Sequence, residues 1–218
     1  MKKIIPARDF ACKENARDML IALKTIERWT KQGGFREMIY CRLDFNNLYD
    51  HGRIARFQVS GVGQFPVFSG IGAYVNRPEC SMLSNAAIPP GKYWIVDRPK
   101  GGALSTLQQW GKELATGNSY DDWFGLFRQD GVIDDRMQFN VGPGYYYRSS
   151  FRLHSLRPDG TGLSEGCITF CHRADFYAVR AALLHTHKMP VQGGNGLMAY
   201  GEVTVTGNTG RNCNVSNR

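Results

Sequence analysis

A chain of 218 residues with 42% hydrophobic composition suits one packed domain, with or without an appendage, and excludes a disordered polypeptide. Its net charge of +8 is dispersed along the sequence and accompanied by no recognisable RNA-binding motif, so nucleic acid is not an expected partner. No stretch approaches the roughly 20 apolar residues that span a bilayer, and Met1–Ile5 runs into Pro6, Arg8 and Asp9, so neither a membrane anchor nor an export signal is read.

The 25 glycines and 9 prolines, set among short aromatic and β-branched runs, predict strands joined by tight turns and hence a mainly β fold. Before these runs, Ala16, Met19, Leu20, Leu23, Ile26 and Thr30 recur at three-to-four spacing. That pattern predicts an amphipathic helix within residues 9–31, ended by Gly33-Gly34. Residues 1–37, with nine basic against five acidic side chains, read as an N-terminal helical extension to a domain over 38–206. Strands are predicted at 38–45, 53–60 and 65–69. A glycine- and proline-punctuated loop over 69–90 then leads into a strand from Lys92 to Asp97. A turn at 99–102 and a short helix over 104–115 follow. Next comes a strand from Trp123 to Arg128, with Asp130-Gly131 as a hairpin signal. In Ser150–His154 the two-residue period sets Phe151 and Leu153 on one face and Arg152 and His154 on the other, opening on a cleft. A helix is predicted over about 172–186, a last strand over 199–205, and a loose polar tail over 207–218.

Cys167 lies thirteen residues after His154, beyond a glycine-rich loop that can fold back and bring imidazole to sulfur. Such a pair makes an activated nucleophile: the imidazole takes the thiol proton and later returns it to a leaving amine. Gly166 lets the chain turn sharply, so that the Gly166 and Cys167 amides can face a developing oxyanion. From spacing alone the signal is weak, because buried cysteine and core histidine are both common. His154, Cys167, Cys171 and His172 are also zinc-ligand types, but Cys-x3-Cys-His is an unusual zinc spacing, and no metal or other cofactor is expected. Six cysteines (Cys12, Cys41, Cys80, Cys167, Cys171, Cys213) leave disulfides open among the five not assigned to catalysis.

Several motifs occur in a fixed order around that pair: Gly61–Gly70 (GVGQFPVFSG), Asn76-Arg77-Pro78, Ile88–Pro99 (IPPGKYWIVDRP), Trp123–Phe127 (WFGLF), Ile133-Asp134-Asp135, Phe151–His154 (FRLH) and Ser164–Thr169 (SEGCIT). Together they resemble the type VI secretion L,D-transpeptidase effectors, bacterial toxins once grouped as a domain of unknown function. The resemblance covers about residues 38–206; Met38-Ile39-Tyr40 resembles a usual family start. It implies a β-sandwich of L,D-transpeptidase type, with Cys167 as nucleophile and His154 as base.

The implied substrate is the tetrapeptide stem of peptidoglycan, cut at its terminal D-alanine, with water or a D-amino acid as acceptor. Ser164 matches the family's small hydroxyl residue and is expected to shape the turn or assist the site. Arg152 is a candidate for holding a substrate carboxylate, or else a structural ion pair. Two residues depart from the broader L,D-transpeptidase signature: Glu165 stands in place of His before Gly-Cys, and Thr169 in place of Asn or Arg two after Cys. Further implied are a secretion-machine component, a cognate periplasmic immunity protein, and action in the periplasm of a target cell without a signal peptide. A cysteine amidase or peptidase on another substrate, and a non-enzymatic wall-binding module with a structural cysteine, are the other readings.

Overall fold

The computed structural model describes residues 38–98, 122–141, 143–157 and 164–214, with Lys24 and Glu27 besides. The helix expected within 9–31 lies outside this set except for Lys24 and Glu27, both helical and exposed. The turn at 99–102 and the helix at 104–115 also lie outside it. The described chain is mainly β, as expected. It forms β1 (Ile39–Tyr49), β2 (Ile54–Val59), β3 (Gly63–Phe68), β4 (Gly91–Asp97), β5 (Phe124–Arg128), β6 (Arg136–Val141), β7 (Gly144–Ser149), β8 (Arg152–Ser155) and β9 (Ile168–Phe170). After β9 come helix α1 (Arg173–Leu184), β10 (Met189–Pro190) and β11 (Met198–Thr206).

Where a two-sheet sandwich was expected, the sheet closes on itself. The strand order is β1-β2-β3-β9-β8-β5-β4-β11-β10, and β1 also pairs with β11, which makes an eight-stranded barrel with β10 appended. Two of these pairings are parallel, β1 with β11 and β8 with β9. Closure depends on β1, whose eleven residues serve both neighbours and whose pairing with β2 shifts register between Leu43 and Leu48. Such an irregularity bends and twists a strand, which a barrel wall requires.

Alternation along β1 sends Ile39, Cys41, Leu43 and Phe45 inward, and Tyr40 and Arg42 outward. With Phe57, Ile95, Leu126, Leu153, Ile168 and Phe170 they form one core, onto which α1 packs Phe176, Val179, Ala182 and Leu183. Phe170 sits at the junction, with its ring centroid 5.5 Å from Phe57 and 5.7 Å from Phe176. Each such side chain, fully buried, contributes about 1.5–3 kcal/mol.

One expectation is corrected. The Asp130-Gly131 turn exists, with Gly131 at φ 93°, but the strands on either side of it do not form a hairpin with each other. β5 pairs with β4 and β8, while among the described residues β6 pairs with β7 alone, in a separate two-stranded sheet. The segment after β11 has no regular structure through residue 214. Cys213 is disulfide-bonded to Cys80, and the Asn214 carbonyl accepts a hydrogen bond from Arg77 at 3.0 Å.

The bond closes a loop of 133 residues, so its main effect is to reduce the entropy of the unfolded chain, worth roughly 2–5 kcal/mol. A Cys80→Ser/Cys213→Ser variant is therefore expected to unfold at clearly lower urea concentration than the oxidised wild type with a similar fold by circular dichroism. Equal midpoints would show that the clasp contributes nothing.

Candidate active site

β8 and β9 lie in parallel register, with Leu153 opposite Ile168, His154 opposite Thr169 and Ser155 opposite Phe170. Leu153, Ile168 and Phe170 belong to the core. The two-residue period then sets Arg152, His154 and Thr169 on the other face, with Cys167 one step before β9 and on the same side. Cys167 and His154 are thus diagonal neighbours on the β8–β9 pair. Both are buried, at 9% and 3% exposure. A polar cavity of about 360 Å³ lies elsewhere, lined by Arg42, Asp44, Asn47, Arg56, Gln58 and Gln64, and includes neither residue.

At rest the sulfur and the imidazole are turned to other partners. Cys167 Sγ is 3.8 Å from the Ser150 carbonyl, and the Thr169 hydroxyl is 3.4 Å from His154 Nε2. His154 Nδ1 lies 2.8 Å from the Ser155 carbonyl. A carbonyl can only accept, so Nδ1 carries the proton and Nε2 keeps its lone pair. The Trp123 ring stacks on the imidazole at 4.0 Å and 14°, with the Arg98 guanidinium 5.8 Å from the indole. Burial, joined by the charges of Arg157, Arg152 and Arg98, pushes the His154 pKa down to about 4, against the raising effect of the Ser155 carbonyl. Burial pushes the Cys167 thiol up to about 11, opposed by the Arg152 backbone N–H and by the charges of Arg152 and Arg148. Near neutral pH both groups are uncharged.

The turn before Cys167 is held from several sides. Gly166 has φ 93°, and a Cβ there would collide with Arg148 Nη2 and stand 2.9 Å from the Phe151 ring, so glycine is required. Ser164, fully buried, donates to the Cys167 carbonyl at 2.6 Å and accepts from the Gly70 amide at 3.2 Å. Ser150 sits at φ 65°, a left-handed conformation that costs a non-glycine residue of order 1 kcal/mol, and its carbonyl faces the sulfur. The Ser150 amide donates to the Asp135 carbonyl at 3.1 Å, which helps hold that conformation.

Arg152 lies on the face of His154, but its guanidinium is already committed. It pairs with Asp135 at 2.9 Å and donates to the Phe151 carbonyl at 2.8 Å. The four zinc-ligand types do not share a site: Cys171 is disulfide-bonded, and His172 Nδ1 pairs with Asp175 at 3.0 Å. Among the described residues no three His, Cys, Asp or Glu side chains gather as a metal site. Sequence reasoning gave no role to Ser155, Ser150, Trp123 or Arg148. Two of these act through backbone carbonyls, which no side-chain pattern signals.

Because His154 titrates near 4 when folded and near 6.5 when unfolded, the unfolded chain binds the extra proton first as pH falls. This contribution is fully present above about pH 6.5 and is lost toward pH 4, by about 3 kcal/mol. His154→Gln is expected to lose less stability than wild type between pH 7 and 4.5 in urea titrations. Parallel losses would contradict the buried neutral imidazole.

The family model described as the Tlde1 domain matches residues 63–194. No curated protein and no solved structure matches the chain. Since the matched span takes in more than half of the 218 residues, and both His154 and Cys167 with it, the chain belongs to the Tlde1-domain family, a family of type VI secretion effectors.

Proposed function

We propose that the protein is an antibacterial effector that modifies the tetrapeptide stems of peptidoglycan, with Cys167 as nucleophile and His154 as base. The observation that carries this reading is the placement of the two side chains on one face of the β8–β9 pair, with the imidazole held in the tautomer whose Nε2 is basic. The Ser155 carbonyl takes the orienting role that a carboxylate fills in many triads.

Since thiol and imidazole are both neutral at rest, the proton moves as the attack occurs. Sγ bonds to the carbonyl carbon between the L-centre of the diamino acid and the terminal D-alanine, while Nε2 takes the thiol proton. The tetrahedral oxyanion is met by the Gly166 and Cys167 amides, for which the φ of 93° at Gly166 supplies the sharp turn. The imidazolium then protonates the departing D-alanine amine, leaving a thioester on Cys167. Water, giving up a proton to His154, attacks the thioester and releases a shortened stem, and the imidazolium returns that proton to Sγ as the C–S bond breaks. A D-amino acid gives an exchanged stem unfit for cross-linking. Neither step needs a metal or cofactor.

The Cys80–Cys213 bond suits an oxidising compartment, which supports work in the target periplasm after delivery by the secretion machine. A periplasmic immunity protein then protects the producer. Toxicity is expected only when the chain is directed to the periplasm; equal killing from the cytoplasm would oppose this.

The direct test incubates tetrapeptide muropeptides with the protein, with and without added D-amino acid, and reads products by mass spectrometry. Loss or exchange of D-alanine is expected for wild type, none for Cys167→Ala, and a fall of roughly 100-fold or more for His154→Ala. As pH falls, kcat/KM is expected to hold until His154 protonates near pH 4. No product from folded wild type would favour a wall-binding module, and cleavage at another bond an amidase.

A further inference from the structure

Arg148 on β7 is 4% exposed, yet among the described residues it makes no ion pair. Its guanidinium donates instead to four backbone carbonyls: Ser81, Ala87 at 2.9 Å, Ala86 at 2.9 Å and Glu165 at 3.5 Å. It also stacks over the Phe151 ring at 5.1 Å and abuts Gly166. One side chain thus ties residues 81–87 to the turn that presents Cys167. A buried guanidinium with no carboxylate is costly, because carbonyl dipoles replace only part of its hydration. What it lacks is an anion; the groups whose ionised forms favour its charge are Tyr146, Tyr93 and Cys167, and of these the thiol follows the turn that it holds. The other nearby cation, Arg152, which also lowers the thiol pKa, is ion-paired with Asp135.

We propose that Arg148 is a positioning residue of the site, whose fork fixes the Glu165–Cys167 turn and whose uncompensated charge stabilises the Cys167 thiolate as it forms. The electrostatics run the same way from both ends: the Arg148 charge lowers the thiol pKa, and the thiolate favours the charged guanidinium, itself pushed down chiefly by burial. Assigning this charge a catalytic consequence rests on Cys167 being the nucleophile. The two roles separate by chemistry. Lysine keeps the charge but cannot span four carbonyls, whereas methionine fills space without charge and glutamine keeps a donor without charge.

The test follows iodoacetamide alkylation of Cys167 against pH, quantified on the Cys167 peptide by mass spectrometry, in the full chain and in Arg148→Lys, Arg148→Met and Arg148→Gln. Near-ultraviolet circular dichroism checks each fold. In the neutral variants the alkylation profile is expected to move to higher pH by about one unit, roughly tenfold slower at fixed pH. Arg148→Lys is expected to keep the wild-type profile while losing muropeptide turnover. Where Arg148→Met fails to fold, Arg148→Gln carries the comparison; if neither neutral variant folds, a wild-type profile in Arg148→Lys supports the charge role and a shifted one opposes it. A folded neutral variant with an unmoved profile, or a lysine profile shifted as far as the neutral ones, overturns the proposal. Wild-type turnover that is lost in Cys167→Ala establishes the nucleophile separately, so a flat Arg148 result would sink this inference alone.

Discussion

The parallel pairing of β8 with β9 is the constraint on which the site depends. A one-residue slip would send His154 into the core and Leu153 to the site, and the buried Leu153, Ile168 and Phe170 make such a slip prohibitive. The same packing that stabilises the barrel wall therefore sets the geometry between thiol and imidazole. β3 and β5 flank the pair, so neither strand is an edge free to shift.

Around that register the chain builds its polar site almost entirely from backbone acceptors. The Ser155 carbonyl holds the imidazole, the Ser150 carbonyl faces the sulfur, and carbonyls of residues 81–87 and 165 receive Arg148. Backbone groups are rigid when the strands and turns carrying them are rigid, and they do not titrate. Among these fixed dipoles stand the two titratable side chains of the proposed pair, Cys167 and His154.

This explains what the sequence made legible. The alternation in Phe151–His154 pointed to a strand with His154 off the core, Gly-Cys to a sharp turn, and the spacing of Phe176, Val179 and Leu183 to α1, all from side-chain pattern. The β6–β7 hairpin escaped notice although Met137 and Phe139 alternate with Arg136, Gln138 and Asn140, which stand opposite Ser149, Tyr147 and Tyr145 on its exposed face. Barrel closure was illegible for another reason: it depends on a parallel pairing of Ile39–Asp44 with Gly201–Thr206, between opposite ends of the described domain. Arg148, in a tyrosine-rich run, gave no signal, since its partners are carbonyls without sequence identity. The cysteine count left the pairing of Cys80 with Cys213 open.

That covalent clasp joins a short turn after Pro78 to the segment beyond the last barrel strand, and it exists only where thiols are oxidised. A chain synthesised among reduced thiols lacks the clasp, and one that reaches an oxidising space acquires it. The surroundings thereby act as a ratchet on the fold. The protein is more easily unfolded where thiols stay reduced, and more durable where its disulfide can close.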